Sequence, residues 1–285
     1  MTHNRLVRFA RRAASPLAAA LALAAAPAMA DEAAPAEGAV KPFTISGSAA
    51  VVSDYRLRGV SQSNKHIAIQ AGATVTHKSG AYAGVWGSNL AGWGTFGGSN
   101  TEFDLIGGFA RPIGSVTVDV GLTWYMYPGG AAKTDFAEPF VKLSTVVGPA
   151  KALVGVAYAP KQQALGNWSN TPQSREGSGY DNLYLWGDGS VGIPKTPITA
   201  KAHLGYSRGN PGLGPNGTSV APTGSYWDWM IGADLALGKL TLGIAYVDTD
   251  ISKAKAAYLQ PNFSSTKDGS SISGSTVVFS GTVAF

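Results

Sequence analysis

The chain contains no cysteine, and past residue 30 it has no run of 18 apolar residues. The first absence removes disulfides as a source of stability, and the second excludes a transmembrane helix, which needs about 20 apolar residues. Charge of either sign is also scarce, at 14% of residues. The formal excess of +5 is located at one end: Arg5, Arg8, Arg11 and Arg12 precede residue 13, with no acid among the first thirty residues. Without that segment the chain carries 18 basic against 17 acidic residues, which gives no reason to expect nucleic acid as a partner. Catalytic and metal motifs are missing too. There is no Gly-x-Ser-x-Gly and no His-Glu-x-x-His, and only His66, His77 and His203 follow the first thirty residues. Gly187-x-Gly189-x-x-Gly192 has a dinucleotide-binding spacing, but Ile193-Pro194 stands where a phosphate-binding helix would open. No enzyme activity, cofactor or metal is expected.

What is present begins with an export signal. The arginines lead into the apolar stretch Leu17–Ala26, and Ala28-Met29-Ala30 reads as a cleavage site before Asp31. The expected organisation is a signal peptide over 1–30, a flexible segment over 31–42 and a β-barrel over 43–285.

Thirty-seven glycines and 16 prolines oppose long helices. Period-two alternation dominates instead. Val116, Val118, Val120, Leu122, Trp124 and Met126 share one strand face, and Thr117, Asp119, Gly121, Thr123, Tyr125 and Tyr127 share the other. About twelve such segments are predicted, at 43–55, 65–77, 81–90, 101–111, 116–127, 135–146, 152–160, 180–191, 198–208, 225–237, 240–250 and 271–285, with boundaries good to a few residues. Their length, near ten residues, suits a tilted transmembrane strand better than the shorter strands of a soluble sandwich. The connections alternate between long and short, with Lys78–Gly80 and Gly238-Lys239 among the short ones and 161–179 and 251–270 among the long. Short periplasmic turns and long outer loops are the plan of a transmembrane antiparallel up-and-down all-β barrel in a bacterial outer membrane. A soluble exported sandwich is the competing fold.

Aromatics gather where the long loops begin. Tyr55, Trp124, Tyr125, Tyr127, Phe136, Tyr158, Tyr180, Tyr184, Tyr206, Tyr226, Trp227, Trp229 and Tyr246 are expected to form an outer girdle. The chain ends on Phe285, preceded by Val283, Gly281 and Phe279. A terminal aromatic on an alternating strand resembles the signal read by the outer-membrane assembly machinery, so that machinery and outer-membrane lipid are the expected partners.

Asp54-Tyr55-Arg56-Leu57-Arg58-Gly59-Val60-Ser61-Gln62 resembles the Tyr-x-x-Arg-Gly-x-Ser-Gln opening of the TorF-type putative porin family. Ala81–Leu90, Tyr125–Gly129 and Asp135–Glu138 match its later segments in the same order. The resemblance covers most of the chain beyond the signal and is looser after Lys161. It implies an outer-membrane, porin-like barrel, and names no solute and no functional residues.

The alternation places Glu102, Asp104, Asp119, Glu138, Asp228 and Asp234 in the lumen, with Lys142, Lys201 and His203 as counterweights. These are the pore-lining candidates. They lead to the expectation of a wet channel for small hydrophilic solutes with a weak cation preference; a plugged structural barrel, or an outer-membrane enzyme without a recognisable catalytic set, is the alternative. Arg56 and Arg58 lie where the first strand enters its outer loop. There they either fold inward to narrow the mouth, contact anionic headgroups, or remain solvated. On this reading Asp119→Asn costs little and Val120→Arg costs much.

Overall fold

The computed structural model describes residues 42–131, 133–166, 179–211 and 213–285. The expected signal peptide and most of the 161–179 loop lie outside the described residues. Twelve strands form one closed antiparallel barrel: β1 (Phe43–Val52), β4 (Ala68–His77), β5 (Ala81–Asn89), β6 (Thr101–Ile113), β7 (Val116–Met126), β8 (Phe136–Val147), β9 (Ala150–Gln162), β10 (Tyr180–Gly192), β11 (Ile198–Arg208), β12 (Ser225–Leu237), β13 (Leu240–Thr249) and β14 (Thr276–Ala284). Each pairs with its sequence neighbour, and β14 closes on β1 through the register Val52↔Ser280 to Ser48↔Ala284. Closure leaves no unpaired edge, which any structure crossing a bilayer with strands requires. Two further short strands, β2 (Arg56–Leu57) and β3 (Val60–Ser61), form a separate hairpin in the loop between β1 and β4. A single helical turn, α1 (Lys253–Tyr258), lies in the last long loop.

The period-two pattern sorts the side chains as it must in a closed sheet. Val120 is 50% exposed, Ile231 66% and Phe279 57%, each in mid-strand, while Asp119 beside Val120 and Asp228 three residues before Ile231 are buried. Leu105, Leu122, Leu143, Val154, Leu204, Leu242 and Ile244 continue this outward apolar surface around the barrel. A belt of that size is untenable in water and suits lipid, which excludes the soluble sandwich. Strands of 9 to 13 residues are long enough to cross the hydrocarbon when tilted.

The expected aromatic girdle is corrected. Trp124, Tyr158, Trp227 and Tyr246 do point outward at the long-loop end. Tyr55, Tyr125, Tyr127, Phe136, Tyr184 and Tyr226 turn inward and are buried. Adjacent residues such as Trp124 and Tyr125 stand on opposite faces of one strand, so sequence level alone does not give side.

The inward aromatics belong to a second layer of structure. Tyr55, Trp86, Trp93, Phe96, Tyr125, Tyr127, Tyr226, Leu259, Phe263 and Ile272 pack into one core in which strand residues meet loop residues. The loops are tied to one another by backbone bonds: Ser61 N donates to Ile272 O, Ala91 N to Gln62 O, and Val220 N to Ala164 O. Buried loop backbone needs partners of this kind. The long-loop half of the lumen is therefore filled, whereas Thr74, Gly84, Thr117, Ser144 and Asp188 nearer the short turns remain partly exposed.

Close packing in this filled half makes small residues necessary. A Cβ on Gly155 would stand 2.3 Å from Trp186 Cζ2, inside van der Waals contact with a ring that is itself stacked on Tyr184. Gly155→Ala is expected to lower the unfolding free energy by about 1–3 kcal/mol through overpacking. Denaturant unfolding of the folded barrel in detergent measures this, and a variant as stable as the parent would show that Trp186 moves freely.

Candidate functional site

The hairpin β2–β3 determines what the lumen can do. Its two-residue turn, Arg58-Gly59, has φ of 52° and 77°, the pair of positive values that a type I′ turn requires. Glycine is required at the second position, where a Cβ would meet Thr249 Cγ2 at 2.4 Å and Asp228 Cβ at 2.9 Å. At the first position a non-glycine residue is held in the left-handed region at an energetic cost, compensated by what its side chain contacts. Arg58 Nη2 donates to both oxygens of Glu138 on β8, at 2.6 and 2.7 Å. Its Nη1 donates to Asn182 Oδ1 on β10, and its guanidinium lies 4.4 Å over the ring of Tyr184. Its carbonyl accepts from Tyr226 Oη on β12 at 2.9 Å. One turn thus joins three strands across the lumen, with Nη2 on Glu138 and Nη1 on Asn182, two separated donor nitrogens that arginine provides and lysine does not. Arg56 anchors the root: Nε contacts Asp54 Oδ2 at 2.8 Å, and Nη1 donates to the Gly59 and Gly274 carbonyls.

A second network touches the first. His203 Nδ1 is 2.6 Å from Asp188 Oδ1, and Nε2 is 2.8 Å from the Tyr184 hydroxyl and 3.2 Å from Asp228 Oδ1. Both ring nitrogens are engaged by β10 and β12, so neither is left to act as a base toward a serine. Nearer the short turns, Lys142 Nζ pairs with Asp119 Oδ2 at 2.8 Å and Asp119 Oδ1 accepts from Tyr82 Oη at 2.8 Å. Lys201 Nζ pairs with Asp234 Oδ1 at 2.6 Å.

Every inward candidate read from the sequence does face inward, but the expectation that they line a wet pore is corrected. Glu102, Asp104, Asp119, Glu138, Lys142, His203, Asp228 and Asp234 are all buried, and Lys201 is half-buried. Around Glu102, Asp104, Glu138 and Asp228 the hairpin and the loop core take the place of water, and nearer the short turns Asp119 with Lys142 and Asp234 with Lys201 cover each other as pairs. Arg56 and Arg58 lie inside the barrel, 2% and 4% exposed, which removes both the headgroup and the solvated reading. Among the described residues, Glu102 and Asp104 are the lumen acids that no cation approaches within salt-bridge distance. Phe285 is exposed at the short-turn rim, with its backbone bonded to Gly47 in both directions.

Sequence reasoning missed Asp188, Asn182, Tyr184 and Asp54 as partners. The first three were within reach, since Asn182, Tyr184, Trp186 and Asp188 alternate on one face of β10. The fourth gave no signal, because it acts from a loop. The mild cost expected for Asp119→Asn is overturned as well, because the substitution would leave Lys142 buried without its counter-charge.

A closed twelve-stranded antiparallel barrel with an apolar exterior and a loop-filled mouth defines a porin-like membrane barrel. The chain belongs to the family described as bacterial protein of unknown function (Gcw_chp), whose model matches residues 36–282. Among solved structures it is similar in fold to a porin refined at 1.8 Å, at 8% identity and TM-score 0.42, covering 85% of this chain and 100% of the other. It is also similar to the outer membrane protein opdK from Pseudomonas aeruginosa, at 11% identity and TM-score 0.42, covering 86% and 67%. The anion-selective porin from Comamonas acidovorans is similar at 14% identity and TM-score 0.39, covering 85% and 99%. No curated protein matches the chain.

Proposed function

We propose that this protein is an outer-membrane channel of the porin class, for ions and small hydrophilic solutes, whose passage is controlled by the inward hairpin. The observation that carries this reading is Arg58, a cation at a strained turn that ties the hairpin across the lumen to Glu138, Asn182 and Tyr226. A barrel needing only mechanical strength has no use for charged groups in the one place where they cost most. An ion pair is, in contrast, a latch that can break and re-form. The reading includes export by cleavage of residues 1–30 and insertion by the assembly machinery with Phe285 as signal. It also includes a weak cation preference once the hairpin is displaced, because Glu102 and Asp104 have no basic side chain paired with them among the described residues.

The filled aromatic core at the long-loop end favours a second reading, a permanently plugged structural barrel. Single-channel recording in planar bilayers separates the two. The parent protein is expected to be closed for most of the record, and a variant with residues 56–61 replaced by a short Gly-Ser link to conduct steadily. Under a salt gradient its reversal potential should indicate cations, and should move toward zero in Glu102→Gln/Asp104→Asn. A silent link variant that still folds would establish the plugged barrel and end the channel reading.

A further inference from the structure

Glu102 and Asp104 stand two residues apart on β6 and share its inward face. Both are buried, at 0% and 1% exposure, and no lysine, arginine or histidine pairs with either among the described residues. Glu138, the next acid around the wall, is neutralised by Arg58, so it offers these two no relief. Two adjacent carboxylates in a water-poor wall repel each other and lack hydration, so something positive must accompany them.

Their surroundings consist of unpartnered oxygen. Glu102 Oε2 and Asp104 Oδ1 have no hydrogen-bond partner. The same holds for the carbonyl Oε1 of Gln70, which lies level with Glu102 through the register Gln70↔Ser88↔Glu102. The Tyr127 hydroxyl is also unpartnered, although its residue is only 3% exposed. Tyr127 follows Met126, the partner of Phe103, and so continues the register level with Glu102 on the neighbouring strand. Thr123 Oγ1, on the inward face of β7 just beyond Asp104, is a further orphan. Buried unsatisfied groups in one sector are unusual and call for a ligand. Protonation alone would remove the charge; a hard cation removes it and also takes up neutral oxygen beside the carboxylates.

We infer that Glu102 and Asp104, with the neutral oxygens of Gln70 and Tyr127, form a binding site for a hard divalent cation of the calcium class. No group of three His, Cys, Asp or Glu forms a metal cluster among the described residues, so two carboxylates supply the charge and neutral oxygens and water complete the shell. The cation also bears on the hairpin. Tyr55 Oη donates to Glu102 Oε1 at 3.0 Å, and Tyr55 immediately precedes β2. A cation that holds Glu102 in place therefore holds the root of the hairpin. The site stands independently of the channel reading, since it can be occupied in a barrel that conducts nothing.

Terbium luminescence tests the site directly on the folded full-length barrel. Trp86 pairs with Asp104 in register and Tyr55 touches Glu102, so both can transfer excitation to a bound lanthanide. Saturable sensitised emission displaced by calcium is expected. Glu102→Gln/Asp104→Asn should weaken binding at least about tenfold through loss of ligand charge. Heat-modifiable migration on gels reports whether that variant folds. Where it does not, infrared spectra of the parent decide: calcium should abolish any band from a protonated carboxyl group. Absent emission, emission unchanged by the substitutions, or a protonated carboxyl that persists in calcium would each overturn the inference.

Discussion

Arg58→Ala is expected to destabilise the barrel by about 3–5 kcal/mol and to convert a closed protein into a conducting one. The size follows from what would remain. Glu138 is 2% exposed and would keep a buried charge with no counter-ion, a loss well above the net worth of the pair. Asn182 and Tyr184 would lose their contacts in the same step. Two features separate this from ordinary cavity formation. Arg58→Ala/Glu138→Ala should recover part of the loss, because removing both partners leaves nothing orphaned. Arg58→Lys should behave more like alanine than like arginine, since one ammonium lacks the second nitrogen that reaches Asn182 while the first holds Glu138. Unfolding midpoints in detergent and single-channel records measure the two effects together. A fully stable, silent Arg58→Ala protein would show that the hairpin is held by its apolar contacts alone.

Two neighbouring residues, Asp119 and Val120, should give large effects for opposite reasons. Val120 is 50% exposed on the belt, so Val120→Arg places a charge toward hydrocarbon and should cost about 2–4 kcal/mol. Asp119 faces the lumen and is, among the described residues, the only anion paired with Lys142, itself 3% exposed. Asp119→Asn should cost about 3 kcal/mol or more, as expected for half of a buried pair. The causes separate on a second change. Lys142→Met should relieve Asp119→Asn and leave Val120→Arg untouched, because the lipid face has no part in the pair. If Lys142→Met rescued neither, the pair would be open to solvent and the lumen wetter at this level than its burial indicates.

The strands were legible because a barrel wall has two solvents, lipid and lumen, and each residue must suit one of them. Ile198–Arg208 and Ser225–Leu237 lie at the boundaries read from alternation, and most other strands fall within two or three residues. The ends of β1 and β14 were the main misses. Residues 53–55 continue the alternation, but there the chain leaves the wall to begin the hairpin, with Ser53 N bonding Phe279 O as the last link. The inward direction of Asp119, Lys142, His203 and Asp228 was read from the same pattern, for the same reason.

The order of small and large side chains along the chain thus determined the closed barrel, its strand count and the side on which each wall residue stands, because period two is a local property of the backbone. Who meets whom across the lumen is not local. Arg58 reaches Glu138 80 residues away and Tyr226 168 away, contacts that no alternation encodes. The same charged positions describe a wet pore when the mouth is open and a dry, paired interior when the loops fold in. Only the tertiary structure decided between these, because the inward loops exclude the water that would otherwise solvate each charge separately, and so oblige the charges to find one another.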